Sequence, residues 1–207
     1  MVFSTHCWKK FDLPVWLLAP ILLLSAASGA LADGIEVRTA ELVAAEESWQ
    51  LNADFDIGFS ADVEEALSKG VPLNFLIEFE LVAPRRYWFD DEIASASQRV
   101  RLSYHALSRQ YLINVGPHQK SFASLQEVRE ELGKLRGWPV VEKSQVKKGE
   151  TYHALLRMRL DHSSLPKALQ VDAMGSEKWK LVSDRYRWTP ALTNTPANTE
   201  SPVPAAK

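Results

Sequence analysis

Cysteine is almost absent from this sequence, because Cys7 is the only one in 207 residues. With one cysteine, the chain can form no disulfide within itself. The sequence after Cys7 contains no thiol, so that part cannot act as a thiol oxidoreductase, a cysteine hydrolase or a thiolate metal protein. The stability of the folded part must therefore come from packing.

Two other scarcities exclude further chemistry. The nine glycines are scattered and form no phosphate-binding loop or nucleophile elbow, and the five histidines contain no pair at the i, i+4 spacing of a zinc protease. We therefore predict no catalytic residue, no cofactor and no metal site.

No excess of positive charge is present either. The chain has 24 Lys and Arg against 26 Asp and Glu, a formal net charge of −2. Because general nucleic-acid binding usually requires a basic domain, we predict no nucleic-acid partner. The length fits one domain with a substantial core.

The amino terminus has the layout of a secretory leader. Lys9 and Lys10 precede an apolar stretch at 13–24, and small residues end at Ala32, before a charged sequence that begins at Asp33. A basic start, a short apolar middle and small residues at the cleavage site are typical of an exported protein. We expect residues 1–32 to be a cleaved signal peptide and the protein to be periplasmic.

The alternative is an uncleaved anchor. Residues 13–32 carry no charge, and about 20 apolar residues suffice to cross a bilayer. Pro14 and Pro20 interrupt the stretch, which favours cleavage. A membrane association is expected only if the leader stays attached, in the inner membrane.

Alternation of apolar and polar residues predicts most of the fold. It is strict at 49–59, 73–81, 100–106 and 152–160, and shorter strands are predicted at 35–43, 110–115, 140–142 and 178–183. Strands with one apolar and one wet face favour an antiparallel sheet.

Two short helices are predicted between the strands. Residues 124–127 match a capping box, and the apolar residues that follow at helical spacing run to Leu135, with Gly137 as the end. A second helix is predicted at 62–69, before Gly70. A third helical turn is suggested at 162–169.

The fold expectation is a mainly β, antiparallel β-sandwich-like single domain at 33–188 with two short helices. The alternative is an α+β arrangement with the helices packed on one face of the sheet. Residues 189–207 contain four prolines and no aromatic residue, so we predict a disordered tail.

A basic strip is the main candidate site. On the polar sides of two predicted strands lie Arg99 and Arg101, and Arg157 and Arg159. Together they could bind an anionic small molecule, a headgroup or a partner. The alternative is an ordinary salt-bridged surface, in which Glu78 and Glu80 face Arg99 and Arg101 across a strand pair.

A second candidate site combines arginines with adjacent aromatic residues. Arg85, Arg86 and Trp88 belong to a run at 85–92 that could be an exposed recognition site, since Arg and Trp are common in binding hot spots. The alternative is that the rings cover one end of the core.

Several phrases resemble one bacterial family. They are LNADF at 51–55, EALSKGVPL at 65–73, RYWF at 86–89, RLSY at 101–104 and RMRLD at 157–161. Over residues 35–188 the sequence resembles the exported proteobacterial proteins grouped as domain of unknown function 4390. The resemblance implies no established activity. Genes of this family tend to lie next to a gene for a membrane sensor kinase of the nitrogen-regulation type. The resemblance therefore implies an accessory role in signalling by such a kinase.

We therefore expect a non-catalytic envelope protein, an interaction or sensory-accessory domain for a sensor kinase or another envelope protein. One alternative is a binding module for an anionic small molecule on the basic strip. Another is a hydrolase without a recognised motif, built on Asp161, His162 and a nearby serine.

Overall fold

The computed structural model describes residues 34–85, 90–147 and 149–192. The described residues form nine strands: β1 Gly34–Ala44, β2 Ser48–Gly58, β3 Leu73–Ala83, β4 Asp91–His105, β5 Gln110–Val115, β6 His118–Phe122, β7 Lys134–Glu142, β8 His153–Leu160 and β9 Tyr186–Trp188. They also form three α-helices: α1 Ala61–Ser68, α2 Leu125–Leu132 and α3 Lys167–Gly175.

The strands form two antiparallel sheets. One has three strands in the order β1-β2-β7, and the other has six in the order β6-β5-β4-β3-β8-β9. The prediction of a mainly β, antiparallel, sandwich-like domain is confirmed. The helices lie in the connections between strands.

One hydrophobic core draws on both sheets. Alternate residues of β2 and β3 are buried, among them Leu51, Phe75 and Phe79, and β8 contributes Leu156 and Met158. Burying a large apolar side chain contributes about 1.5–3 kcal/mol. The alternation read from the sequence therefore identifies which side of each strand stabilises the domain.

The helices differ from the prediction in two respects. Ser124 caps α2 as expected, by accepting a hydrogen bond from the Glu127 amide, but the helix ends at Leu132 and β7 begins at Lys134. Leu135 is buried on the inward side of β7. The sequence suggested a helical position because Leu135 lies three residues after Leu132, a spacing that also fits one face of a helix. In place of the single turn suggested at 162–169, the chain forms a 3-10 turn at His162–Ser164 and then the longer helix α3, which begins directly after Pro166.

Strand boundaries differ most where the sequence lacks alternation. β4 begins at Asp91, nine residues before the predicted start, because residues rich in Ser and Ala pair along the full length of β3. β6 forms after a two-residue turn in which Gly116 has a φ of 54°. The strand predicted at 178–183 is wrong, since a 3-10 turn ends at Trp179 and only Val182 forms a bridge, to Arg159.

The chain remains in contact with the domain just beyond β9. The Thr189 hydroxyl lies 3.2 Å from Nδ1 of His153, and Leu192 packs against the core. The predicted leader and residues 193–207 of the predicted tail lie outside the described residues. Among the helices described, the longest has nine residues, too short to cross a bilayer.

Candidate functional site: the arginine face

The basic strip lies on the outer side of the six-stranded sheet. Val100 and Leu102 on β4 point into the core, so Arg99 and Arg101 point away from it and are exposed. On β8 the same alternation turns Arg157 and Arg159 outward, half-exposed. We call this surface the arginine face and define it by the outward residues of β4, β3, β8 and β9.

Strand register places these arginines in neighbouring rows. Arg99 lies opposite Leu76 of β3, and Leu76 lies opposite Arg159 of β8. Since neighbouring strands are about 4.8 Å apart, the Cα atoms of Arg99 and Arg159 are about 10 Å apart, with one leucine between them. Arg101 lies opposite Asn74 of β3 and Asn114 of β5. The structure thus brings the predicted arginines of β4 and β8 together on one face.

The predicted pairing of Glu78 and Glu80 with Arg99 and Arg101 is wrong. Glu78 lies opposite Ser97, and Glu80 lies opposite Ser95. The two strands pair along their whole length, from Leu73–Leu102 to Ala83–Asp91. This register moves the β4 arginines past the glutamates, beside Leu76 and Asn74.

Glu78 pairs with Arg159 instead. The guanidinium donates two hydrogen bonds to this carboxylate, from Nε to Oε2 at 3.2 Å and from Nη2 to Oε1 at 3.1 Å. Hydrogen bonding to Glu78, partly offset by burial, raises the pKa of Arg159. A two-pronged pair of this kind fixes the geometry of both side chains. Arg159 is therefore partly neutralised and held in place.

Two further arginines on this face were not predicted. Arg185 lies 3.9 Å from Glu80, and Arg187, opposite Leu155 in the β8–β9 pair, lies 3.4 Å from Asp90. Residues 185–188 alternate charged and aromatic side chains, and this short alternation is the signal that could have indicated a strand with its arginines outward.

The β4 arginines remain uncompensated. Among the described residues, the ion pairs of the arginine face involve Arg159, Arg185 and Arg187 and do not include Arg99, Arg101 or Arg157. Arg157 has Glu78 directly opposite in register, which partly balances its charge. The uncompensated positive charge is therefore concentrated at Arg99 and Arg101.

The arginine face is flat. Arg157 and Arg185 border a space of only about 10 Å³, together with Glu78 and Glu80. That volume is about the size of one water probe, far below the 300–1,000 Å³ or so of a small-molecule site. Arg99 and Arg101 do not line this space. Among the cavities lined by described residues, only this small space borders one of the four predicted arginines, so they share a surface there.

The second predicted site is described only in part. Arg85 forms an ion pair with Asp91 at 2.6 Å, with both side chains about half exposed. Arg86 and Trp88 lie outside the described residues.

The residues of the hydrolase hypothesis serve as local caps. Oδ1 of Asp161 accepts hydrogen bonds from the backbone amide and hydroxyl of Ser163, at 3.2 and 2.6 Å. Nε2 of His162 lies 2.8 Å from the carbonyl oxygen of Trp179, so this nitrogen carries a proton and donates it. The serine therefore bonds to the aspartate and the histidine to the backbone, which is not the arrangement of a nucleophile and its base.

A larger cleft lies beside α1. Its volume is about 790 Å³, and Val71, Leu169 and Trp179 supply apolar lining. An ion pair of 2.8 Å between Lys178 and Asp62 joins its two sides. Within residues 34–85, 90–147 and 149–192, no cluster of three or more histidine and acidic side chains could hold a metal ion.

The fold and this surface define a small antiparallel β domain whose larger sheet exposes a flat face rich in arginine. The family model described as Domain of unknown function (DUF4390) matches residues 32–189, so the chain belongs to that family and the resemblance seen in the sequence is confirmed. No curated protein and no solved structure matched the chain.

Proposed function

We propose that this chain is a non-catalytic exported protein of the cell envelope that works as an interaction or sensory-accessory domain, with the arginine face as its binding surface. The leader-like sequence at 1–32 supports export to the periplasm. A membrane-bound envelope protein is the proposed partner, and a sensor kinase is the candidate that the family resemblance implies.

One observation carries the proposal. Arg99 and Arg101 stand exposed on the outer side of the six-stranded sheet, with no carboxylate of the described residues paired to them. Arginine is among the residues that contribute most to protein interfaces, and half-buried Leu76 beside Arg99 adds apolar contact area. The pair is therefore suited to a partner that brings acidic groups.

Flatness and size favour a macromolecule over a small ligand. Four strands at about 4.8 Å spacing and about eight residues of length give a face of roughly 19 by 27 Å. Its area of roughly 500 Å² is about two thirds of the 800 Å² or so that one partner contributes to a standard interface. Small molecules usually require a concave site.

Photo-crosslinking in intact cells tests the proposal. A photo-reactive amino acid replaces Leu76 at the centre of the arginine face, and the matched control replaces Asn52 on the outer side of the three-stranded sheet. We expect one defined crosslinked envelope protein from position 76 and none from position 52.

The same experiment is repeated with Arg99→Glu and Arg101→Glu added. Charge reversal should remove the crosslinked product, because the acidic partner would then be repelled. An absent product at position 76, or the same product from positions 76 and 52, would show that the arginine face is not the binding surface.

A further inference from the structure

Five arginines of the arginine face follow one diagonal of the six-stranded sheet. From β4 to β9, the register orders them as Arg101, Arg99, Arg159, Arg157 and Arg187. Arg99 and Arg159 share the row of Leu76, and each of the other three steps moves two residues along the strands in the same direction. We call this row the arginine diagonal.

The arginine diagonal has the dimensions of a short extended peptide. Three strand spacings of about 4.8 Å and six residues of about 3.4 Å each give a length of about 25 Å from Arg101 to Arg187. An extended chain advances about 3.3 Å per residue, so seven or eight residues would cover this distance.

The spacing within the arginine diagonal also suits such a peptide. Arg99 and Arg101 are two residues apart on one strand, about 7 Å between Cα atoms, and alternate residues of an extended peptide have the same spacing on one side. Acidic side chains at two alternate positions would therefore meet Arg101 and Arg99, the two uncompensated arginines. Leu76 and Leu155 lie in the same rows and provide apolar contacts between the charges.

We infer that the arginine diagonal binds an extended acidic segment of the partner, seven or eight residues long, with acidic side chains at alternate positions. This inference rests on the proposed function, because it names the part of the partner that is recognised. Charge complementarity carries it: Arg99 and Arg101 offer two positive charges that no described carboxylate neutralises.

A synthetic peptide tests the inference without knowledge of the partner. The probe is a labelled octapeptide of alternating Glu and Thr, the neutral control replaces Glu with Gln, and binding to the purified full-length chain is followed by fluorescence anisotropy. We expect binding by the Glu peptide only, and weaker binding as salt rises, because exposed charges are screened.

Matched variants locate the binding surface. Arg99→Gln with Arg101→Gln should weaken binding by up to about 25-fold, since each exposed ion pair accounts for up to about fivefold. Lys134→Gln with Lys167→Gln removes the same charge from exposed residues elsewhere and should leave binding unchanged. A urea denaturation curve for each variant shows that it is folded.

Three results would overturn the inference: equal binding by the Arg99→Gln, Arg101→Gln variant, equal binding by a peptide with its four Glu in one block, or tighter arginine-dependent binding to phosphatidylglycerol vesicles than to the peptide. If the Glu peptide does not bind but the crosslink at position 76 is still formed, only the inference that the partner is recognised through an acidic segment is refuted. Loss of both results would refute the proposed function as well.

Discussion

Replacing Gly133 with alanine should destabilise the domain, although glycine-to-alanine changes in this backbone conformation usually stabilise. Gly133 follows α2 with a φ of −72°, which any residue adopts. A Cβ atom there would lie 2.6 Å from the carbonyl oxygen of Phe55 and 3.0 Å from that of Arg129. Both obstacles are backbone atoms, so a side-chain rotation cannot relieve the contact.

The position also joins α2 to β2. The Phe55 amide donates a 2.8 Å hydrogen bond to the Gly133 carbonyl, on the strand that forms the centre of the three-stranded sheet. Moving Gly133 away from Phe55 would stretch this bond. Overpacking costs about 1–3 kcal/mol, which outweighs the gain of about 0.4–1 kcal/mol from reduced backbone freedom in the unfolded state.

Urea unfolding followed by tryptophan fluorescence measures the effect, since Trp49 is only 2% exposed in the folded domain. The net loss is about 0.6–2 kcal/mol, so with a denaturant slope near 2 kcal/mol/M the midpoint of Gly133→Ala should fall by roughly 0.3–1 M. Gly175→Ala is the matched control, because a Cβ at Gly175 has no atom within 4 Å. Its midpoint should stay or rise slightly.

The reasoning fails if Gly133→Ala is as stable as the unmodified protein. It also fails if both substitutions lower the midpoint equally, because the close approach of Phe55 would then have no specific cost.

Three further predictions concern the core, the acid response and the leader. Leu156→Ala should reduce the free energy of unfolding by about 2–5 kcal/mol, whereas Leu155→Ala, on the outer side of the same strand, should cost under about 1 kcal/mol by urea titration. Hydrogen bonds from Arg136 and Thr39 lower the pKa of Asp54 below its ordinary value of 3.8, so its stabilising effect is present above that value and is lost as the pH falls through the lower folded-state pKa. Asp54→Asn should therefore flatten the acid limb of the stability curve measured by thermal melts. Amino-terminal sequencing of the protein from its native cells should begin at Asp33, and a chain that retains residues 13–32 would indicate the anchor instead.

The strongest alternation in the sequence predicted both strands and faces. The alternating stretches at 49–59 and 73–81 correspond to β2 at Ser48–Gly58 and β3 at Leu73–Ala83, with the predicted apolar sides buried. Such patterns succeed because each side chain on a half-buried strand has only two directions available. The outward direction of Arg99 and Arg157 was predictable for the same reason.

Register was not predictable from the same pattern. A slip of two residues keeps every side chain on its face, so alternation cannot distinguish one even register from the next. The long pairing of β4 with β3 depends on Ser and Ala residues that carry little strand preference of their own. This explains why Glu78 was paired with the arginines of β4, when in the structure it pairs with Arg159 of β8.

Stability and the proposed binding depend on opposite sides of the same strands. On β4, Val100 and Leu102 fill the core, while Arg99 and Arg101 lie outside it with no described ion pair to lose. Surface substitutions away from buried groups usually change stability by less than about 0.5 kcal/mol. The Arg99→Gln, Arg101→Gln variant should therefore unfold at the urea midpoint of the unmodified chain while it loses peptide binding. A large fall in its midpoint would mean that these arginines support the fold, and that the flat outer sheet is a structural surface.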